Sequence, residues 1–246
     1  LTPRGRHTLG SINALAIFGT DYLELLGVPP ENPQARPELM AAPPGLDGMV
    51  FKTQDADATH RHLASLGIDA EPPRAFSRPV TLPNGKTGDA AFRTVAVPRA
   101  DFPAGRFYFC EHATPELVWR PEWQRHANAV TKITELVVVT AAPDAAAART
   151  AAILGTDASA GPARVALQNG TVISFATAED YTGRFGASAI DLEGREAAFG
   201  AVVFAARPGK ELADKLTSDA RFSVAASDKE LRVKLVDLNA LVIFAG

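Results

Sequence analysis

Two glutamates, Glu24 and Glu116, stand in segments that echo each other. Asp21-Tyr22-Leu23-Glu24-Leu25-Leu26 and Ala113-Thr114-Pro115-Glu116-Leu117-Val118 each read as a short apolar strand carrying one inward carboxylate, and each follows a β-rich run, 13–18 and 106–111. If two such segments face one cavity, their carboxylates and a nearby histidine form a donor set for a divalent metal. His112 shares an alternation face with Tyr108 and Cys110, so it is a candidate ligand or acid/base group, while Cys110 reads more simply as a small core residue. His7, near Gly10 and Asn13, is a further ligand candidate or a loop histidine, with Asn13 lining the cavity. Arg93 is a candidate anion anchor. Trp119 and Trp123 are candidate pocket walls or packing residues beside a proline-rich connector.

Each of these has a plainer reading. Glu24 can reach solvent or pair with an arginine, because a lone carboxylate between apolar neighbours is costly to bury. Thr114-Pro115-Glu116 is also an ordinary helix start. His60 and His62 fall on a helix and are expected to face solvent; His126 and Asn128 fall in a connector and suit hydrogen bonds to backbone.

The elements that must position these residues repeat. Three stretches run from an apolar strand into an amphipathic helix: Gly48–Thr53 into 55–67, Glu135–Thr140 into 144–155, and Gly200–Ala205 into 210–218. The first two helices open on an aspartate and close on Leu-Gly, where glycine takes the left-handed position. β signals follow each helix, with Asn84-Gly85 and Asn169-Gly170 as reversing turns. The unit is βαβββ, and residues 1–26 hold only its meander half. By unit length, about 25 residues carrying a first strand and helix are expected upstream of Leu1. The expected fold class is α+β, with tandem βαβββ units forming two cupped mixed sheets, one half at 1–128 and a degenerate half at 129–246.

Composition narrows the function classes. The 246 residues are 46% hydrophobic and 22% charged, enough for one large or two modest cores. A net charge of -3 with dispersed arginines leaves no basic stripe for nucleic acid. Apolar runs are strand-sized, so no membrane span is expected. One cysteine allows no internal disulfide, which suits a reducing, cytoplasmic setting. No phosphate loop, dinucleotide fingerprint or Gly-x-Ser-x-Gly elbow is present.

The phrases Gly5-Arg6-His7-Thr8-Leu9-Gly10-Ser11-Ile12-Asn13, Tyr22-Leu23-Glu24-Leu25, Phe109-Cys110-Glu111-His112-Ala113-Thr114-Pro115-Glu116-Leu117-Val118-Trp119 and Trp123-Gln124-Arg125-His126-Ala127-Asn128 resemble glyoxalase-like proteins of the vicinal oxygen chelate superfamily. The resemblance is carried by motifs over residues 5–128 and by repeat logic beyond. It implies ligand places on the first and last strands of paired units: Glu24, Glu116 and Gly48 in the first half, where Gly48 offers no side chain, and Glu135, Gly200, Ser174 and Ile243 in the second, where only the Glu135 carboxylate and the weak Ser174 hydroxyl are donors. The first half is then the metal half, holding Zn, Fe, Mn or Ni through Glu24, Glu116, His112 and His7. The second half is expected to be structural. The implied activity is metal-dependent lyase, isomerase or dioxygenase chemistry on a small oxygenated molecule, with Glu24, His112 and Glu116 catalytic and Asn13, Arg93 and Trp119 contacting substrate. The alternative is a metal-free small-molecule binding or resistance protein, and a homodimer suits either.

Overall fold

The computed structural model describes residues 1–157, 163–206 and 209–246. Its chain divides into two compact units, one made of 1–43, 49–98 and 107–125, the other of 44–48, 99–106 and 126–246. Strands and helices are mixed throughout, which makes the fold α+β as expected.

In the first unit, β1 (Gly5–Arg6), β2 (Ile12–Ile17) and β3 (Tyr22–Gly27) form an antiparallel meander. β2 alternates strictly, burying Asn13, Leu15 and Ile17. The short α1 (Pro37–Met40) follows, then β4 (Gly48–Thr53), α2 (Ala56–Ser65), β5 (Arg74–Thr81), β6 (Thr87–Val97) and β7 (Arg106–His112). The second sheet has the order β4-β7-β6-β5. Asp55 caps α2 by accepting from the Ala58 N–H at 2.9 Å, and Gly67 leaves the helix at φ +73°. The inward faces of the sheets share a core of Leu15, Ile17, Val80, Ala90, Phe92, Cys110 and Val118.

The second unit holds β8 (Ile133–Thr140), α3 (Pro143–Leu154), β9 (Arg164–Ala166), β10 (Val172–Ala176), α4 (Ala178–Phe185), β11 (Ala197–Ala205), α5 (Lys210–Thr217), β12 (Phe222–Ala226), β13 (Glu230–Leu235) and β14 (Ala240–Ala245). Its strands make one mixed sheet ordered β12-β13-β14-β11-β8-β10-β9.

The repeat is visible at atomic detail in the turns. At Asn84-Gly85 the Gly85 N–H bonds to Leu82 O at 2.9 Å and Asn84 Oδ1 accepts from Lys86 N at 3.1 Å. At Asn169-Gly170 the Gly170 N–H bonds to Leu167 O at 2.9 Å and Asn169 Oδ1 accepts from Thr171 N at 3.0 Å. Both glycines sit at positive φ, +81° and +82°.

Three local departures matter. β5 and β12 complete the meanders of the second and fourth repeats although their sequences carry weak strand signals; both are edge strands, where Pro79 in β5 leaves no ladder bond unmet. The third repeat shows the meander strands β9 and β10, and these lead into α4, a helix that has no α-helical counterpart after β7 in the second repeat. The segment around Glu116 is no strand: Pro115–Leu117 is a 3-10 turn with proline at its start, the local alternative that Thr-Pro-Glu encodes.

Candidate functional site

In the first unit the inward face collects the ends of several strands. Cross-strand register puts Glu24 opposite Leu15 and Tyr22 opposite Ile17, so Glu24 lies on the core-facing side of β3. On the other sheet, Arg78 faces Ala90, Phe76 faces Phe92, and Phe92 faces His112. Side chains alternate along strands, so Phe76, Arg78, Phe92, Cys110 and His112 share that face.

A chain of aromatic contacts crosses it. His7 meets Phe76 edge-on at 5.3 Å, Phe76 stacks on Phe92 at 5.2 Å, and Phe92 meets His112 edge-on at 5.0 Å. His112 stacks on Trp119 at 5.9 Å, Trp119 contacts Tyr22 at 5.4 Å, and Lys52 Nζ lies 4.7 Å over the Trp119 ring.

Arg78 lies among these groups. It is only 3% exposed, and its Nε and Nη2 have no hydrogen-bond partner. Burial lowers its pKa, while the charges of Glu24 and Tyr22 oppose that fall; a guanidinium remains protonated. Gly5 makes room for it, since a Cβ there would stand 2.5 Å from Asn13 Oδ1 and 2.8 Å from Arg78 Cδ. Asn13 Nδ2 in turn donates to Glu24 Oε1 at 2.7 Å.

The two histidines are held neutral. Burial, followed by the charges of Lys52 and Arg78, pushes His112 down to about 4. Burial, Arg78 and Arg36 bring His7 to about 4 as well. The indole N–H of Trp119 donates to His112 Nδ1 at 3.2 Å; indole has no acceptor, so the imidazole proton resides on Nε2. His7 Nδ1 lies 2.8 Å from Ser11 Oγ, which accepts from Arg36 Nη1 at 3.1 Å. Burial, then Glu24 and Glu111, pushes the Cys110 thiol up to about 12, and the cysteine is free.

This donor set does not fit a metal centre. A metal-bound imidazole gives its second ring N–H to an acceptor, whereas in His112 that second nitrogen is itself the acceptor. Glu24 already feels a buried guanidinium, which supplies the positive charge a metal would bring. Glu116 is exposed on its 3-10 turn. Among the described residues, no three His, Cys, Asp or Glu side chains group to hold an ion.

Arg93 lies on the opposite face of β6 from Phe92. There it pairs with Asp57 at 2.9 and 3.0 Å and with Glu111 at 3.5 Å, beside the start of α2. His60 is half-buried, bonding to Ala70 O at 2.9 Å, and His62 is half-buried too, so neither is the solvent-facing histidine that was expected. Asn128 Oδ1 accepts from the Val130 N–H at 3.4 Å, and His126 O from the Ala129 N–H at 3.0 Å.

In the second unit, all four places derived from the repeat lie under α4. Glu135 takes a two-pronged ion pair from Arg184, both distances 2.7 Å, and a hydrogen bond from Ser174 Oγ at 2.6 Å. Burial raises the Glu135 pKa, but the hydrogen bonds from Arg184 and Ser174 and the arginine charge outweigh it, leaving the carboxyl below its usual range. Gly200 lies beneath Tyr181, whose ring a Cβ would meet at 2.6 Å; the phenol donates to Gly200 O at 2.8 Å and accepts from Ile190 N at 3.0 Å. Ile243 is fully buried in the same cluster.

The family model described as a glyoxalase-like domain matches residues 1–154, well over half of the 246-residue chain. The chain belongs to the glyoxalase-like domain family. A solved structure, a hypothetical protein from Staphylococcus aureus, shares the fold with a TM-score of 0.66 at 12% identity, over 99% of this chain and 90% of that one. A xylose isomerase-like TIM barrel/4-hydroxyphenylpyruvate dioxygenase fusion protein gives 0.49 at 10% identity, over 99% of this chain and 44% of that one. A mutant 4-hydroxymandelate synthase from Streptomyces coelicolor gives 0.48 at 10% identity, over 96% and 81%. No curated protein matches.

Within this glyoxalase-like domain the residue that sequence reading passed over is Arg78. An arginine beside proline in a weak strand pattern resembles an edge or loop residue, and only the pairing of β5 with β6 turns it inward. No described helix is long and apolar enough to cross a membrane.

Proposed function

We propose that this glyoxalase-like domain binds a small oxygenated molecule on the inward side of its first unit and does so without a metal. The observation that carries the reading is Arg78, a buried guanidinium with two nitrogens lacking acceptors, beside Glu24. A buried charge left without hydrogen bonds is costly, and a ligand oxygen is the natural remedy. His112 fits the same role, because its neutral ring offers Nε2–H as a donor and its Nδ1 is held by Trp119. Trp119 and Asn13 act as supports in this reading, fixing His112 and Glu24. The second unit, with its equivalent face under α4, serves as scaffold.

The rival reading, a metal-dependent lyase, isomerase or dioxygenase, draws on the inward placement of Glu24. Metal analysis of the protein purified without chelator separates the two. The binding reading expects no stoichiometric Zn, Fe, Mn or Ni and no thermal shift on adding each ion. Stoichiometric metal that disappears in Glu24→Ala would establish the metalloenzyme instead.

A further inference from the structure

We infer that the first-unit cavity bounded by Thr2, Arg4, Arg6, Arg78, Thr81 and Trp123 is a subsite for the carboxylate of a small acid with an apolar body. The inference rests on the small-molecule reading above and adds the chemical class of the ligand.

The cavity has a volume of about 340 Å³, within the range of small-ligand sites. Its charged lining is all of one sign. Arg78 is buried, Arg4 and Arg6 are exposed, and no carboxylate contributes to the wall. Arg6 is partly offset by Glu31 at 2.7 Å. A buried cation behind an exposed pair of cations draws in an anion and then holds it where water screens little. The guanidinium fork matches the two oxygens of a carboxylate; Nε and Nη2 are closed off and lack an acceptor, so a carboxylate meets them once Arg78 turns toward the cavity it lines. Pro3, Pro79, Val80 and Trp123 supply apolar wall for the rest of the molecule.

A monoanion suits the site better than a phosphate dianion. Glu24 already acts on Arg78, so a second negative charge brought to the same guanidinium meets repulsion. Gly5 is part of the same construction, because any side chain there would collide with Arg78 and Asn13.

The test uses the full chain, titrated by calorimetry and thermal shift with benzoate, uncharged benzamide and inorganic phosphate, before and after chelator treatment. Benzoate is expected to bind and raise the melting temperature, benzamide to do neither, and phosphate to bind more weakly than benzoate. Arg78→Lys keeps the charge but loses the fork, and is expected to weaken benzoate at least about tenfold. Arg4→Ala/Arg6→Ala leaves the buried part intact and is expected to flatten the salt dependence of binding. Circular dichroism checks that each variant is folded; should Arg78→Lys not fold, the rim double variant and the benzamide control decide.

Equal binding of benzamide, unchanged affinity in folded Arg78→Lys, unchanged salt dependence in the rim variant, tighter binding of phosphate, or no response to benzoate at about 10 mM would each overturn the subsite. Binding that is lost on chelation and returns with added metal, yet still depends on Arg78, would keep the subsite and remove the metal-free reading. Binding that survives chelation but ignores Arg78 would do the reverse.

Discussion

The two units solve one electrostatic problem in opposite ways. Each has a glutamate on the inward face of its sheet with an arginine acting on it: Glu24 with Arg78 in the first, Glu135 with Arg184 in the second. Arg184 comes from a helix laid across the sheet and meets both oxygens of its glutamate. Arg78 comes from the sheet itself, and two of its nitrogens meet nothing. A satisfied pair under a helix closes a face; an unsatisfied cation beside a cavity leaves one open. On the binding reading proposed above, repeats of one pattern diverge into scaffold and site through the placement of one arginine.

The largest effect should come from removing what closes the second unit. Tyr181→Ala deletes a buried ring and both of its hydrogen bonds, and is expected to destabilise that unit by about 3–5 kcal/mol in urea denaturation. An unchanged midpoint would mean that α4 does not hold the face shut.

Glu135→Gln keeps the shape of the ion pair but removes its charge, with an expected loss of about 1–3 kcal/mol. The folded pKa of Glu135 lies below the usual 4.5, so its contribution is present above pH 4.5 and fades as pH falls through the folded value. The Gln variant should therefore lose stability relative to the parent at pH 7 and converge with it in acid. Parallel denaturation curves at both ends of that range would sink the assignment.

For the first unit the sign should reverse. Arg78→Met with Glu24→Gln removes an incompletely satisfied charge and its partner, and is expected to leave stability unchanged or raise it by about 1 kcal/mol while abolishing benzoate binding. A marked loss of stability would show that Arg78 serves the fold, like Arg184.

The histidines sharpen the same contrast. With folded values of about 4, His7 and His112 should show no titration by NMR between pH 8 and 5. Both are depressed from 6.5, so their contribution to stability is full above pH 6.5 and is lost as pH falls toward about 4. Chemical shifts moving with a midpoint near 6.5 would put them in water instead. The smallest effect is expected from Arg93→Gln and Glu116→Ala, which lie on the outer face and an exposed turn; neither should change benzoate affinity.

Much of this was legible in the sequence because it is local. Asp55 and Gly67 mark the ends of α2, the Asn-Gly pairs mark the two matching turns, and the alternation around Leu15 and Ile17 marks the buried side of β2. Those signals depend on one residue's backbone preference or on a period of two, so the α+β repeat and the inward direction of Glu24 could be read before any folding. Which inward groups meet was not local. Arg93 and Arg78 are both strand arginines, and only strand pairing sends one to the helix side and the other to the core. Glu116 follows its proline into a turn instead of extending β7, and the face of the second unit is covered by α4, a helix that the repeat pattern did not predict. Side-chain periodicity assigns a residue to a face, but the partner on that face comes from segments far away in the chain. Packing alone decided that one glutamate would find a complete arginine and the other an arginine still short of acceptors.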